Sequence, residues 1–249
     1  MNLVDLTWPA VASLPPDTPV VIPVAALEQH GHHLPVFTDS LLLGEIVRRV
    51  EPRCGEHVLF APLQWIGNSD HHLDFPGTLS AAPRVYLDLL HSLAENFLRH
   101  GFRRLIFLNG HGGNDIPGRQ VVFELRQRHR DRIDLLLLFA TYWALGEERV
   151  NGLVQAEMGH ACEWETSMML RLHPSLVGDY ASAAPIEPGR PFLPAARGWT
   201  TRDRSGPGHI GHPQAATAEK GEYLLGRFAD DVTALLERVI RWDGCSWSG

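Results

Sequence analysis

The chain has 249 residues, 44% of them apolar and 20% charged, with a formal net charge of −7. That suits one large globular domain over residues 1–249 and argues against a nucleic-acid binder, whose surface needs clustered lysine and arginine. Three widely spaced cysteines (Cys54, Cys162, Cys245), no apolar run near the ~18 residues of a membrane span, and no signal-peptide pattern at the start lead us to expect a cytoplasmic protein without disulfides or membrane contact.

Residues 19–27 (PVVIPVAAL) read as a buried strand, being apolar and partly β-branched. Residues 39–52 read as a helix with Leu42, Ile46 and Val47 at helical spacing, stopped by Pro52. A second strand is expected over 57–63 (HVLFAPL). An amphipathic helix follows over 82–100, ended by Gly101. The third strand is 103–109 (RRLIFLN), and residues 115–129 form the next helix, with Pro117 tolerated in its first turn. The fourth strand is 133–141 (IDLLLLFAT). CEWETSMMLRLHP reads as a short helix ended before Pro174, and residues 213–242 as a long final helix. Strands alternating with amphipathic helices predict βαβ units, a largely parallel sheet and helices on both faces. The Pro- and Gly-rich segment 175–213 is too long for a plain connection, which marks it as a functional loop or an interface element.

Ligands of open α/β sheets bind at the carboxyl ends of the strands. The polar clusters fall there: EQHGHH after strand one, GNSDHHLDFPGT after strand two, NGHGGN after strand three and TYW after strand four. Imidazoles and acids after successive strands predict one site assembled from separate loops. Glu28 and His30 share a side if strand geometry continues, and both are common ligands of Zn²⁺, Mn²⁺ or Fe²⁺. Alone, the pair reads more readily as loop residues at a strand end. Asp39 is placed to cap the helix behind it, or to bridge two metals through its two oxygens. NGHGGN matches no nucleotide-loop pattern, although a glycine-rich turn there could cradle a phosphate; His111 within it could reach a metal. Glu163 and Glu165 start a short helix, where the dipole favours acids in any case. His160 suits a general acid/base. One of His71 and His72 could touch substrate. Asn109, Asn114 and Gln29 could orient the imidazoles. Trp164, Met168 and Met169 read as core, Cys162 lacks an activating base, and His57, His91, His100, His129 and His173 read as surface or capping residues.

The ordered motifs EQHGHHLPVFTD, HHLDFPGTLS, NGHGGN, HACEWETS and GHIGHPQAATAEKGE, spread from about residue 20 to about 225, resemble the creatininase (creatinine amidohydrolase) family. The resemblance implies a three-layer α/β/α sandwich, a metal-dependent hydrolase of a small-molecule amide (cyclic amide, formamide or similar), and a homo-oligomer, often a hexamer. It implies two divalent ions per chain (Zn, Mn or Fe) held by Glu28, His30, Asp39 and His111, with Asp39 bridging, and His160 as the catalytic histidine. Glu165 matches the acid of the family's ETS element and is expected to be catalytic beside His160. Three departures are expected to matter. Creatininase reads NGHYEN after strand three and uses that Glu as a ligand, but here the position is Gly113; Glu165 is the expected replacement. Ala156 stands where creatininase carries a substrate-facing Trp, and Cys162 where the family commonly has Gly. A metal- or small-molecule-binding protein without turnover is the reading that competes with catalysis.

Overall fold

The computed structural model describes residues 1–146, 152–189, 192 and 194–247. Four parallel strands form its sheet in the order β2-β1-β3-β4: β1 Val20–Val24, β2 Leu59–Phe60, β3 Arg104–Asn109 and β4 Leu136–Thr141. The helices are α1 Trp8–Ala12, α2 Thr38–Cys54, α3 Pro83–Arg99, α4 Asp115–Arg128, α5 Glu163–Leu172, α6 Thr201–Arg204 and α7 Ala218–Arg241.

Side chains alternate across a strand, and two apolar layers follow from that. Val21, Ile106 and Leu108 face one way, onto Leu42, Leu43 and Ile46 of α2, Met168 and Met169 of α5, and Leu224, Leu225 and Phe228 of α7. Val20, Ile22, Val24, Leu105 and Phe107 face the other way, onto Tyr86 and Leu90 of α3 and Val121 and Leu125 of α4. The expected three-layer α/β/α sandwich is therefore present, with β1 and β3 buried on both faces. Among the described residues no helix is long and apolar enough to cross a membrane.

Differences from the sequence reading have local causes. The helix expected to stop at Pro52 continues to Cys54, because a proline in the last turn forgoes only one helical hydrogen bond while Val50 and Cys54 are buried on either side of it. β2 is two residues long rather than seven. Its outer side meets the N-terminal residues, where Phe60 N–H donates to Met1 O at 2.9 Å, and the chain bends back so that Val24 bridges Gln64. The last helix starts at Ala218, capped by Thr217 accepting from Lys220 N–H at 3.2 Å; Pro213–Ala215 is a separate 3₁₀ turn. Segment 175–213 is not wholly irregular. It carries α6 and an internal antiparallel bridge, Ile186 with Gly211, and a second bridge, Ile210 with His160, ties its end to the residues before α5.

Candidate active site

β1 leaves the sheet at Val24, so Glu28 and His30 are not on a continued strand. Their shared direction comes from a tight loop instead: Glu28 N–H donates to Val36 O at 2.8 Å, and His30 bridges both His32 and Leu34. Both side chains are buried, Glu28 at 1% and His30 at 0% exposure. Asp39 lies in the first turn of α2, where Phe37 is the capping residue, and the Asp39 side chain is turned into the site. The capping role considered for it is not the one it plays. His111 follows β3, held by a 3.1 Å bond from its N–H to Asn109 Oδ1. Glu165 reaches in from the start of α5.

The distances arrange these groups around Asp39. Asp39 Oδ1 is 3.1 Å from His30 Nε2, while Asp39 Oδ2 is 2.9 Å from His111 Nδ1 without hydrogen-bond geometry. Glu165 Oε1 lies 3.6 Å from His30 Nε2, and Glu28 Oε2 lies 3.4 Å from His111 Nε2. One oxygen of Asp39 therefore faces a His/Glu pair, and the other faces a second His/Glu pair. Two buried carboxylate oxygens, Glu28 Oε2 and Asp39 Oδ2, have no hydrogen-bond partner among the described residues. Buried, unpartnered carboxylate oxygens among imidazoles are costly unless a cation compensates them. This hard-and-borderline N/O donor set fits divalent zinc, manganese or iron.

The charges respond to this crowding. Burial, with Asp39 adding to it, pushes the Glu28 carboxyl up to about 7 against the pull of His111. Burial opposes charge on His111, yet Glu28 and Asp39 outweigh it and hold the imidazole up at about 9. His30 is raised in the same way by Asp39 and Glu165, and Asp39 is held well below the carboxylate range by the two imidazoles despite its burial. Burial and the neighbouring His30 and His72 push His160 well down, so it is a neutral imidazole.

Gln29 sets the tautomers around that imidazole. Its Oε1 accepts from Gly31 N–H at 2.9 Å, which fixes the amide orientation. Its Nε2 then donates its two hydrogens to Gly208 O at 2.9 Å and to His72 Nδ1 at 2.8 Å; it also lies 2.9 Å from His160 Nε2, but the Gln29 backbone carbonyl, which can only accept, is closer to that nitrogen at 2.8 Å. His160 thus keeps its proton on Nε2 and presents the Nδ1 lone pair to the site, 3.5 Å from Glu28 Oε1. Gly208, at φ +97°, is required here: a Cβ would stand 2.1 Å from Gln29 Oε1. Ala161, beside His160, has φ +48° and is the one described non-glycine residue with positive φ, a strain of the kind that collects at functional sites.

The structure brings the side chains of Glu28, His30, Asp39, His111, His160 and Glu165 together. His72 joins them, 3.3 Å from Glu28 Oε1, held neutral at about 2 by burial and the neighbouring imidazoles. Asn109 and Asn114 support the loops: Asn114 Nδ2 donates to Ala25 O at 3.0 Å and to Asn109 Oδ1 at 3.2 Å. Glu163 is structural, accepting from Val154 and Gln155 N–H and pairing with Lys220 at 2.6 Å. Cys162 is fully buried with its thiol pushed up to about 12 by burial, no nucleophile. His33 braces Ala161 O at 3.1 Å. His91, expected at the surface, is buried and pairs with Glu124 at 2.8 Å. In NGHGGN the Gly110, His111 and Asn114 N–H groups are bonded to Val24 O, Asn109 Oδ1 and His111 O, so those three cannot join a phosphate cradle.

A cavity of about 570 Å³ opens above these groups, walled by Trp143, Met158, Arg197, Trp199, Arg204 and Ile210 among others. The sequence reading did not name Arg197, Trp199 or Arg204. The available signal was the length and arginine content of the segment that carries them.

The creatininase family model, creatinine amidohydrolase, matches residues 4–236. A mycofactocin precursor peptide peptidase of Mycobacterium ulcerans is 31% identical over 244 residues, covering 95% of this chain and 86% of that protein. The creatinine amidohydrolase of Pseudomonas putida is 29% identical over 252 residues, covering 89% and 90% respectively. A solved creatininase complexed with creatine superposes with a TM-score of 0.81 at 27% identity, over 97% of this chain and 99% of that one. Architecture, motif order and match length agree: the chain belongs to the creatininase family of amidohydrolases.

Proposed function

We propose that the enzyme hydrolyses the C–N bond of a small amide with two divalent ions, held by Glu28, Asp39 and His111 on one side and His30, Asp39 and Glu165 on the other. The observation that carries this reading is the Asp39 carboxylate, whose two oxygens face different imidazoles at 3.1 and 2.9 Å while one of them lacks any hydrogen bond. Glu165 supplies the acid that Gly113 does not. Divalent ions, when bound, supply Lewis acidity and bring the pKa of water from ~15.7 down towards ~7.

The chain's own residues do the rest. His160, neutral with its lone pair on Nδ1, takes a proton from the attacking water. It returns that proton to the leaving nitrogen, a transfer typically worth about 10²–10⁴-fold. Gln29 holds the ring so that Nδ1 cannot turn away. Zinc–zinc and manganese forms are among the solved creatininases that this chain resembles, which supports zinc or manganese, with iron as the third choice. The relatives act on creatinine and on a precursor peptide by their names, so both a cyclic amide and a peptide amide belong in the assay panel.

The test is metal analysis and amide hydrolysis of wild type and Asp39→Ala. About two ions per chain and chelator-sensitive turnover are expected in wild type, with both lost in the variant. Full activity in Asp39→Ala would sink the proposal.

A further inference from the structure

The acids of the cavity are confined to its floor. Glu28, Asp39 and Glu165 are its only acidic lining residues among those described, and each is at most 5% exposed. The mouth carries two guanidinium groups instead, those of Arg197 and Arg204. Both come from residues 188–204, a stretch with four arginines and one acid in a chain of net charge −7.

The Arg204 guanidinium is braced, and the exposed Arg197 stands beside a ring. Arg204 lies 4.5 Å over the Trp199 ring and donates to Pro188 O. Arg197 lies 5.9 Å from the Phe192 ring. Trp199 meets His71 edge-on at 5.1 Å, and His71 stacks on His111 at 5.9 Å. One continuous wall of rings thus runs from the floor imidazole to the Arg204 guanidinium. Arg202 belongs to the same stretch but not to the cavity lining: it lies 4.1 Å over Phe75 and donates to Gly206 O and Asp74 O. A planar, ring-supported guanidinium is preorganised for an oxyanion and loses little freedom on binding it.

We propose that Arg197 and Arg204 form an anion-recognition element at the mouth, so that the amide bound here carries a carboxylate or phosphate group, with its scissile bond towards the Asp39 floor. This deepens the proposed function and rests on it for the identity of the site.

Isothermal titration of the metal-loaded enzyme tests it. The probes share one amide: N-acetylglycine, N-acetylethanolamine phosphate, and the neutral N-acetylethanolamine. The expected result is at least tenfold preference for one or both anions over the neutral amide in wild type. That preference is lost in R197Q/R204Q with metal content intact, and kept in R202Q. R204K, which keeps the charge but not the planar ring-supported group, retains only part of the preference and serves if the double variant proves unstable. Which anion is preferred separates carboxylate from phosphate.

An anion preference unchanged in R197Q/R204Q means that the floor metals, not the mouth, bind the anion, and overturns the proposal. So does a wild type with no preference, including one that binds none of the three. Hydrolysis of a neutral amide with no anion preference would leave the amidohydrolase standing and remove this inference. Arginine-dependent anion preference without turnover of any amide would do the reverse.

Discussion

Gly112 and Gly113 are neighbours in one turn, yet they stand in very different surroundings. A Cβ built on Gly113 would lie 2.2 Å from the Asn68 carbonyl oxygen, 2.5 Å from His111 Nε2 and 2.8 Å from His71 Cε1. A Cβ on Gly112 would meet nothing within 4 Å. Neither residue has positive φ, so conformational strain does not separate them. Gly113→Ala must displace a backbone carbonyl or push His111 off Glu28 and Asp39. Overpacking of that kind costs about 1–3 kcal/mol. For a chain of this size that is a melting temperature lower by about 2–12 °C. His111 shifts with it, so metal affinity falls by about 10–100-fold, the range seen when a ligand loses its support. The assay is thermal unfolding with elemental analysis on Gly112→Ala and Gly113→Ala side by side. Gly112→Ala stays close to wild type. Gly113→Ala with unchanged melting and full metal would refute the reasoning. The same contacts forbid restoring the creatininase acid: Gly113→Glu behaves like the alanine variant and adds no ligand.

Glu165→Gln removes the acid on the His30 side only, and bound metal falls from about two ions to about one per chain by elemental analysis; two ions retained in that variant would show that Glu165 does not stand in for the missing carboxylate. Lys220→Met strips the cation 2.6 Å from a Glu163 that is fully buried. Two backbone amides still serve that carboxylate and Lys220 itself is partly exposed. The loss is therefore about 1–3 kcal/mol in denaturant unfolding, less than for a wholly buried pair. Adding Glu163→Gln to Lys220→Met recovers part of it, and a strictly additive double-mutant cycle would contradict the pairing.

The four strands were legible because their apolar runs stand between amphipathic helices, and the ligand loops because polar clusters follow those runs directly. Strand ends were not legible. β1 and β2 lose their ladders where Leu27, Gln64 and the N-terminal residues offer other backbone partners, and apolarity does not register such competition. Asp39 shows the same limit from another side. An acid opening a helix satisfies a capping rule locally, and only the fold reveals that its oxygens are turned to His30 and His111. Gln29 was named as one of three possible orienting residues, but its grip on both His160 and His72 depends on Gly208, far away in sequence. The mouth was least legible. Arg197 and Arg204 follow no ligand spacing, and they become site residues only because segment 175–213 folds across the carboxyl edge of the sheet.

The antiparallel bridge between His160 and Ile210 bears on the order of events during synthesis. The two residues exchange both backbone hydrogen bonds, at 2.9 and 2.7 Å, and Gly208 next to them completes the bonding of Gln29. Every proposed metal ligand, by contrast, precedes that strap in the chain, Glu165 being the last of them, and so emerges from the ribosome first. A nascent chain therefore holds a full set of donors before it holds the strap that fixes its proton-transfer histidine. On the proposed function, the metal donors are complete before the strap that seats His160, and proton transfer waits for the last quarter of the chain to be laid across them.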